Sequence, residues 1–100
     1  MNGIIIQYQY SGDEATWEKA TGDFVAALEA DSELDGGFMY MVTKARESDT
    51  RTHIGRWRDD DTLKLMQSRD YFKSFAGLLK EMAGDTLRPE GMSVTTMTAQ

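Results

Sequence analysis

No cysteine occurs in the 100 residues, which removes disulfides, thiolate nucleophiles and thiolate metal ligands together. Histidine occurs once, as His53. No histidine pair, Glu-x-x-His metal motif or triad with a second imidazole can therefore be assembled, and a zinc ion would need carboxylates for its other ligands. Proline also occurs once, at Pro89, and no stretch approaches the ~20 apolar residues of a membrane span. Basic residues are the minority, 11 Lys and Arg against 17 Asp and Glu for a net charge of -6, which argues against nucleic acid and anionic membrane as partners. The start, Met1 to Ile6, has neither a basic leader nor the apolar length of a signal peptide, so the expected location is cytoplasmic. No internal repeat, low-complexity tract or linker is visible, and residues 1–100 read as a single domain.

What is present reads as a short alternation of strands and helices. Ile4 to Tyr10 is rich in β-branched and aromatic residues and stops at Ser11-Gly12, a strand followed by a turn. Ser11 stands three residues before Glu14, the spacing of a reciprocal helix cap. Trp17, Ala20, Phe24, Ala27 and Leu28 then recur at helical spacing. Phe38 to Thr43 and Arg51 to Arg58 read as two strands joined by a polar hairpin. Asp59-Asp60-Asp61 opens a second helical region with Leu63 and Met66 in a first part, a restart at Ser68, a packed face of Tyr71, Phe72, Phe75, Leu78, Leu79 and Met82, and a stop at Gly84. Met92 to Thr98 reads as the last strand.

The order strand, helix, strand, strand, helix, strand is the ferredoxin-like βαββαβ pattern, an α+β fold whose four-stranded antiparallel sheet has its two helices on one face. Phe38-Met39-Tyr40-Met41-Val42 is apolar at every position, where a strand with one wet face alternates. The open face of the sheet is therefore expected to meet a second copy of the chain, giving a homodimer built as a dimeric α+β barrel.

The segment Gly55-Arg56-Trp57-Arg58-Asp59-Asp60-Asp61-Thr62-Leu63, followed by Ser68-Arg69-Asp70-Tyr71-Phe72-Lys73, resembles the strand-to-helix passage of the antibiotic biosynthesis monooxygenase (ABM) superfamily. The likeness covers the second half by motif and the whole chain by order of elements. It implies a dimeric α+β barrel, and the superfamily includes cofactor-independent quinone-forming monooxygenases, haem-degrading enzymes and members with no assigned reaction. In many relatives the helix after the tryptophan carries a histidine facing the pocket. The haem-degrading branch has a tryptophan there and a haem-ligating histidine ten residues later. Those positions are Met66 and Ala76 here, so neither haem, metal nor another cofactor is expected.

The residues themselves supply a modest set of candidates. His53, Gly55 and Trp57 alternate onto one side of the third strand, where the glycine would leave space beside an imidazole and an indole. His53 or Tyr40 is the candidate base, and Gln7 or Trp57 would orient the resulting anion. Trp57, Met66, Phe72 and Phe75 would wall a pocket between the sheet and the second helical region. Tyr8 and Tyr10 are further phenols, and Gln7 and Gln9, on the other side of the first strand, must face water, a dimer seam or a ligand. The competing reading is that His53 is a satisfied sheet residue and that Trp57 and the tyrosines simply pack. The Asp59–Asp61 run is read as helix capping, Arg51, Arg56 and Arg58 as neutralised by nearby acids, and the seven methionines chiefly as core filling.

Two functions of different class follow. One is a cofactor-independent monooxygenase or cyclase-like enzyme acting on a small aromatic or polyketide-like molecule. The other is a non-catalytic dimeric module that binds a small ligand or serves as structure. An open cavity lined by His53 and a tyrosine favours the first; a filled interior favours the second.

Overall fold

The computed structural model describes residues 1–99. Strands β1 (Asn2–Gln9), β2 (Phe38–Lys44), β3 (Thr50–Trp57) and β4 (Arg88–Ser93) form one sheet in the order β2-β3-β1-β4, antiparallel throughout. Helices α1 (Glu14–Ala30), α2 (Asp60–Gln67) and α3 (Asp70–Ala83) complete the ferredoxin-like α+β topology. The second helical region is thus two helices. Ser68 closes α2 with its amide on the carbonyls of that helix's last turn, and α3 begins two residues later.

Local chemistry explains the boundaries. Asp59 caps α2 by accepting from the Thr62 amide and hydroxyl at 2.8 and 2.7 Å, as the acidic run predicts. Gly84 ends α3 with φ of 58°, a conformation glycine adopts without a Cβ clash. At α1 the expected Ser11–Glu14 cap does not form. Asp13 is the N-cap, accepting from the Thr16 amide at 2.9 Å, and Glu14 is drawn away to an arginine on β3.

The last strand also differs from the sequence expectation of Met92 to Thr98. It starts earlier and contains Pro89, opposite Ile6 of β1. The proline is tolerated because β4 is an edge strand, whose outward backbone groups need no ladder partner.

The register sorts side chains between two faces. Burial along β3 alternates strictly, with Arg51, His53, Gly55 and Trp57 inward and Thr52, Ile54 and Arg56 outward. Cross-strand pairing carries Tyr8, Ile6 and Ile4 of β1 and Val42 and Tyr40 of β2 to the same inner face. There they join Trp17, Phe24 and Leu28 of α1, Met66 of α2 and Phe75 and Leu79 of α3 in one core. The outer face carries Ile5, Ile54 and Met41 in one cross-strand row, and Met39 and Met92 in the next. Met41 is 47% exposed and Met39 half-buried, so the outward side of β2 is open at Met41 within a single chain.

Candidate functional site

The polar centre of the core is a chain of hydrogen bonds threaded through four aromatic side chains. The Trp17 indole N–H donates to the Tyr8 hydroxyl at 2.7 Å. The Tyr8 oxygen lies 2.8 Å from Nε2 of His53, and the Tyr40 oxygen lies 2.7 Å from Nδ1 on the other side of the same ring. Each member is positioned by its strand or helix. His53 pairs with Val42 and Ile6 on the flanking strands, Tyr8 pairs with Arg51, and α1 lays Trp17 across this inner face.

Packing around this chain is tight. His53 is fully buried and Tyr8 is 1% exposed. Phe75 stacks on the imidazole at 5.9 Å between centroids, and Phe24 meets Tyr40 edge-on at 5.0 Å. Burial pushes the His53 imidazole down to about 4, so it is neutral at physiological pH. Burial also raises the Tyr40 and Tyr8 phenols; for Tyr8 the rise is opposed by the Trp17 hydrogen bond and the nearby Arg51 charge. Both phenols are therefore hydrogen-bond donors, not anions.

A buried cation backs the far end of the chain. The Arg51 guanidinium, 0% exposed, lies 4.4 Å over the Trp17 ring and is held by Glu14 and by the Tyr10 carbonyl. The Arg51 hydrogen bonds hold the Glu14 carboxyl down at about 2.

Gly55 serves the site differently from the expectation that it leaves open space. A Cβ there would stand 3.1 Å from Tyr40 Cδ1 and 3.4 Å from Ile4 Cγ2, so the room is taken by the Tyr40 ring. The expected pocket between the sheet and the second helical region is likewise occupied. Met66 and Phe75 are core residues, Phe72 packs against that core with its ring 6.4 Å from Phe24, and Trp57 stacks on Phe38 at 5.8 Å. The Trp57 indole nitrogen is buried and has no hydrogen-bond partner among the described residues. The break between α2 and α3 is filled by Arg69, which bonds Asp31 and Glu33 at 2.9 Å each, while Tyr71 donates to Asp31 at 2.7 Å. Asp31 is held below the usual carboxylate range by the Tyr71 hydrogen bond and by Arg69.

The open space lies elsewhere. A groove of about 850 Å³ runs beside β2, between the end of α1 and the start of that strand, lined by Leu28, Leu34, Phe38, Tyr40, Arg56 and Met97 among others. Tyr40 belongs both to this groove and to the buried chain. His53 does not line it. Gln7 is on the outer sheet face, where its amide donates to the Thr52 hydroxyl at 3.3 Å, and so points away from His53 across the sheet. The structure thus unites His53, Tyr40 and Phe75, sets Trp57, Met66 and Phe72 in the packing around them, and separates Gln7.

The sequence reading has Trp17 on a packed helix face and Arg51 neutralised by nearby acids, which Glu14 does, but places neither at the buried centre of the site. The signal for both was available: Arg51 alternates with His53 on the strand, and an inward arginine needs an acid and an aromatic face. Among the described residues no cluster of three or more His, Asp or Glu side chains could hold a metal ion. Met66 and Ala76 supply no imidazole for haem, and Met66 lies within the core.

No protein-family model matches the sequence, and no curated protein matches it. Solved structures do match in fold. A variant of SnoaB, a cofactor-independent oxygenase from Streptomyces nogalater, superposes with a TM-score of 0.76 at 18% identity, covering 99% of this chain and 97% of that one. A Caulobacter crescentus protein provisionally named an antibiotic biosynthesis monooxygenase gives 0.77 at 18% identity over 95% and 90%. Rv0793 from Mycobacterium tuberculosis gives 0.68 at 9% identity over 98% of each chain. At these identities the likeness establishes the fold alone.

Proposed function

We propose that this chain, which has the fold of the ABM superfamily, is a cytoplasmic homodimeric oxygenase that acts without a cofactor on a small aromatic molecule held in the groove beside β2. The observation that carries the reading is Tyr40: one residue links a groove with a mixed apolar and charged lining to a buried, hydrogen-bonded phenol–imidazole chain. A cofactor-free reaction needs a substrate that itself reduces oxygen. An aromatic ketone with an activated methylene meets that need, because loss of one proton to groove water gives an electron-rich enolate. The overall change is CH2 plus O2 to C=O plus H2O. Four electrons leave the carbon, one oxygen atom enters the product and the other leaves as water. Phe38 supplies a stacking surface, and Arg56 stands beside the carboxylates of Glu29, Asp31 and Asp35 in the lining, so ring stacking and the Tyr40 hydroxyl, rather than the groove's charge, favour the bound enolate.

The test is oxygen consumption with anthrone as the probe, with anthraquinone followed by absorbance. Wild-type protein is expected to accelerate both, and Tyr40→Phe to lower the rate at least tenfold while remaining folded. No acceleration by wild type overturns the oxygenase reading.

A second reading is supported by the filled surroundings of His53. If the imidazole serves only to satisfy two buried phenols, the protein is a non-catalytic dimeric module that binds an aromatic ligand in the same groove. Binding without oxygen uptake is the result that favours it.

A further inference from the structure

We infer that Tyr8 is a positioning residue that holds His53 as the Nδ1–H tautomer, leaving the Tyr40 hydroxyl proton for a carbonyl or enolate oxygen of an aromatic ligand in the groove beside β2. The inference rests on the groove being the binding site, as proposed above, and deepens that reading by naming the recognised group.

Trp17 N–H, Tyr8 O–H, the single N–H of a neutral imidazole and Tyr40 O–H bring four hydrogens to three contacts, Trp17–Tyr8, Tyr8–His53 and His53–Tyr40. One hydrogen is left over, and the tautomer of His53 decides where it sits. If Nε2 carried the proton, it would donate to the Tyr8 oxygen, which already accepts from Trp17. The Tyr8 hydrogen would then be stranded on a residue 1% exposed, whose hydroxyl has only Trp17 and His53 as hydrogen-bond partners among the described residues. An unsatisfied buried donor of that kind is disfavoured by the full cost of its desolvation.

With the proton on Nδ1 every buried member of this chain of hydrogen bonds is satisfied. Tyr8 donates to Nε2, Nδ1–H donates to the Tyr40 oxygen, and the spare hydrogen resides on Tyr40, which is only half-buried and lines the groove. Trp17 reinforces the direction, because its donation occupies the Tyr8 oxygen and turns the Tyr8 hydrogen toward the imidazole. Tyr40 therefore faces a ligand as a donor whose own oxygen is already polarised by an N–H. Such a group selects an acceptor oxygen over a hydrocarbon edge and strengthens its bond as negative charge develops there.

Because the chain has one histidine, long-range proton–nitrogen correlation of uniformly labelled protein reads its tautomer without assignment. At pH 7.5 the expected pattern is a pyrrole-type Nδ1 and a pyridine-type Nε2. The reverse pattern overturns the inference. Tyr8→Phe is expected to shift the two nitrogens toward averaged values; an unchanged pattern in the folded variant removes the positioning role. Independently of whether Tyr8→Phe folds, 1-tetralone and its hydrocarbon counterpart tetralin are titrated into wild type and Tyr40→Phe. The ratio of ketone to hydrocarbon affinity should fall about tenfold on losing the phenol hydrogen bond, and an unchanged ratio overturns the donor assignment. Absence of oxygen uptake with both results intact removes the oxygenase reading and leaves this one standing.

Discussion

Gly55 and Tyr40 are interlocked across the β2–β3 ladder: the two are register partners, and the phenol ring lies over the position where a β-carbon on residue 55 would stand, 3.1 Å from it. The absence of a side chain on β3 is thus what allows Tyr40 to lean across to His53. Gly55→Ala is expected to push the ring off Nδ1 and to destabilise the fold by about 1–3 kcal/mol through overpacking. Thermal melting should show the loss, and the Tyr40→Phe background should reproduce it, because the displaced atoms belong to the ring and not to the hydroxyl. A Gly55→Ala variant with unchanged melting and unchanged ligand binding would separate the two residues.

The neutral, buried His53 makes stability depend on pH in a defined window. In the unfolded chain its imidazole takes up a proton near pH 6.5, whereas in the folded protein it resists protonation until about 4. Between these values the unfolded state binds more protons, so its contribution is intact above pH 6.5 and declines as pH falls toward 4, by about 3 kcal/mol in all. Urea unfolding from pH 8 to 4.5 on wild type and His53→Gln checks this. The difference between their midpoints should hold above pH 6.5 and shrink below it, and a difference that stays constant down to pH 4.5 would show that the imidazole titrates normally.

The same strand shows how much of this site was legible in the sequence. The βαββαβ order, the helix faces and the inward alternation of His53, Gly55 and Trp57 follow from periods of 3.6 and 2 and needed no structure. Pairing across the sheet was harder to read. Tyr8 meets His53 from 45 residues away and Tyr40 meets it from the other side, relationships that only register and the landing of α1 determine. Gly55 was read as a gap because a sequence shows where a side chain is missing and not which neighbour moves in. Pro89 hid the start of β4 for a related reason: its position on an edge strand, where it costs little, is a property of the assembled sheet.

Arg51 and Glu14 provide a further test of the chain's far end. The guanidinium is buried, so its charge relies on the Glu14 carboxylate and the Tyr10 carbonyl. Glu14→Gln should lower the melting temperature more than Lys19→Ala, which breaks only an exposed pair to Asp23. The sign with pH is fixed: a carboxyl held at about 2 stabilises fully above its ordinary value of 4.5 and loses that contribution as pH falls through about 2. Equal effects of the two substitutions would mean that water reaches Arg51.

The outer sheet face carries the remaining expectation, the homodimer. Met41, Ile54 and Ile5 form one cross-strand apolar row, with Met39 and Met92 in the next; Met41 is 47% exposed and the other four are half-buried. A face with methionine and isoleucine at its centre and Gln7, Thr52 and Glu90 among the residues around it has the layout of an interface, with an apolar middle and a polar rim. Two such sheets packed face to face would bury more than ~2,000 Å², the range of obligate homodimers. Light scattering coupled to gel filtration at low micromolar concentration should give twice the chain mass of 11.3 kDa. Ile54→Lys, which places a charge in the central row without touching the inner core, should give a monomer or an insoluble chain. Wild-type protein that runs as a folded 11.3 kDa monomer would show that the sheet tolerates this face in water, and the dimeric barrel would fall with it.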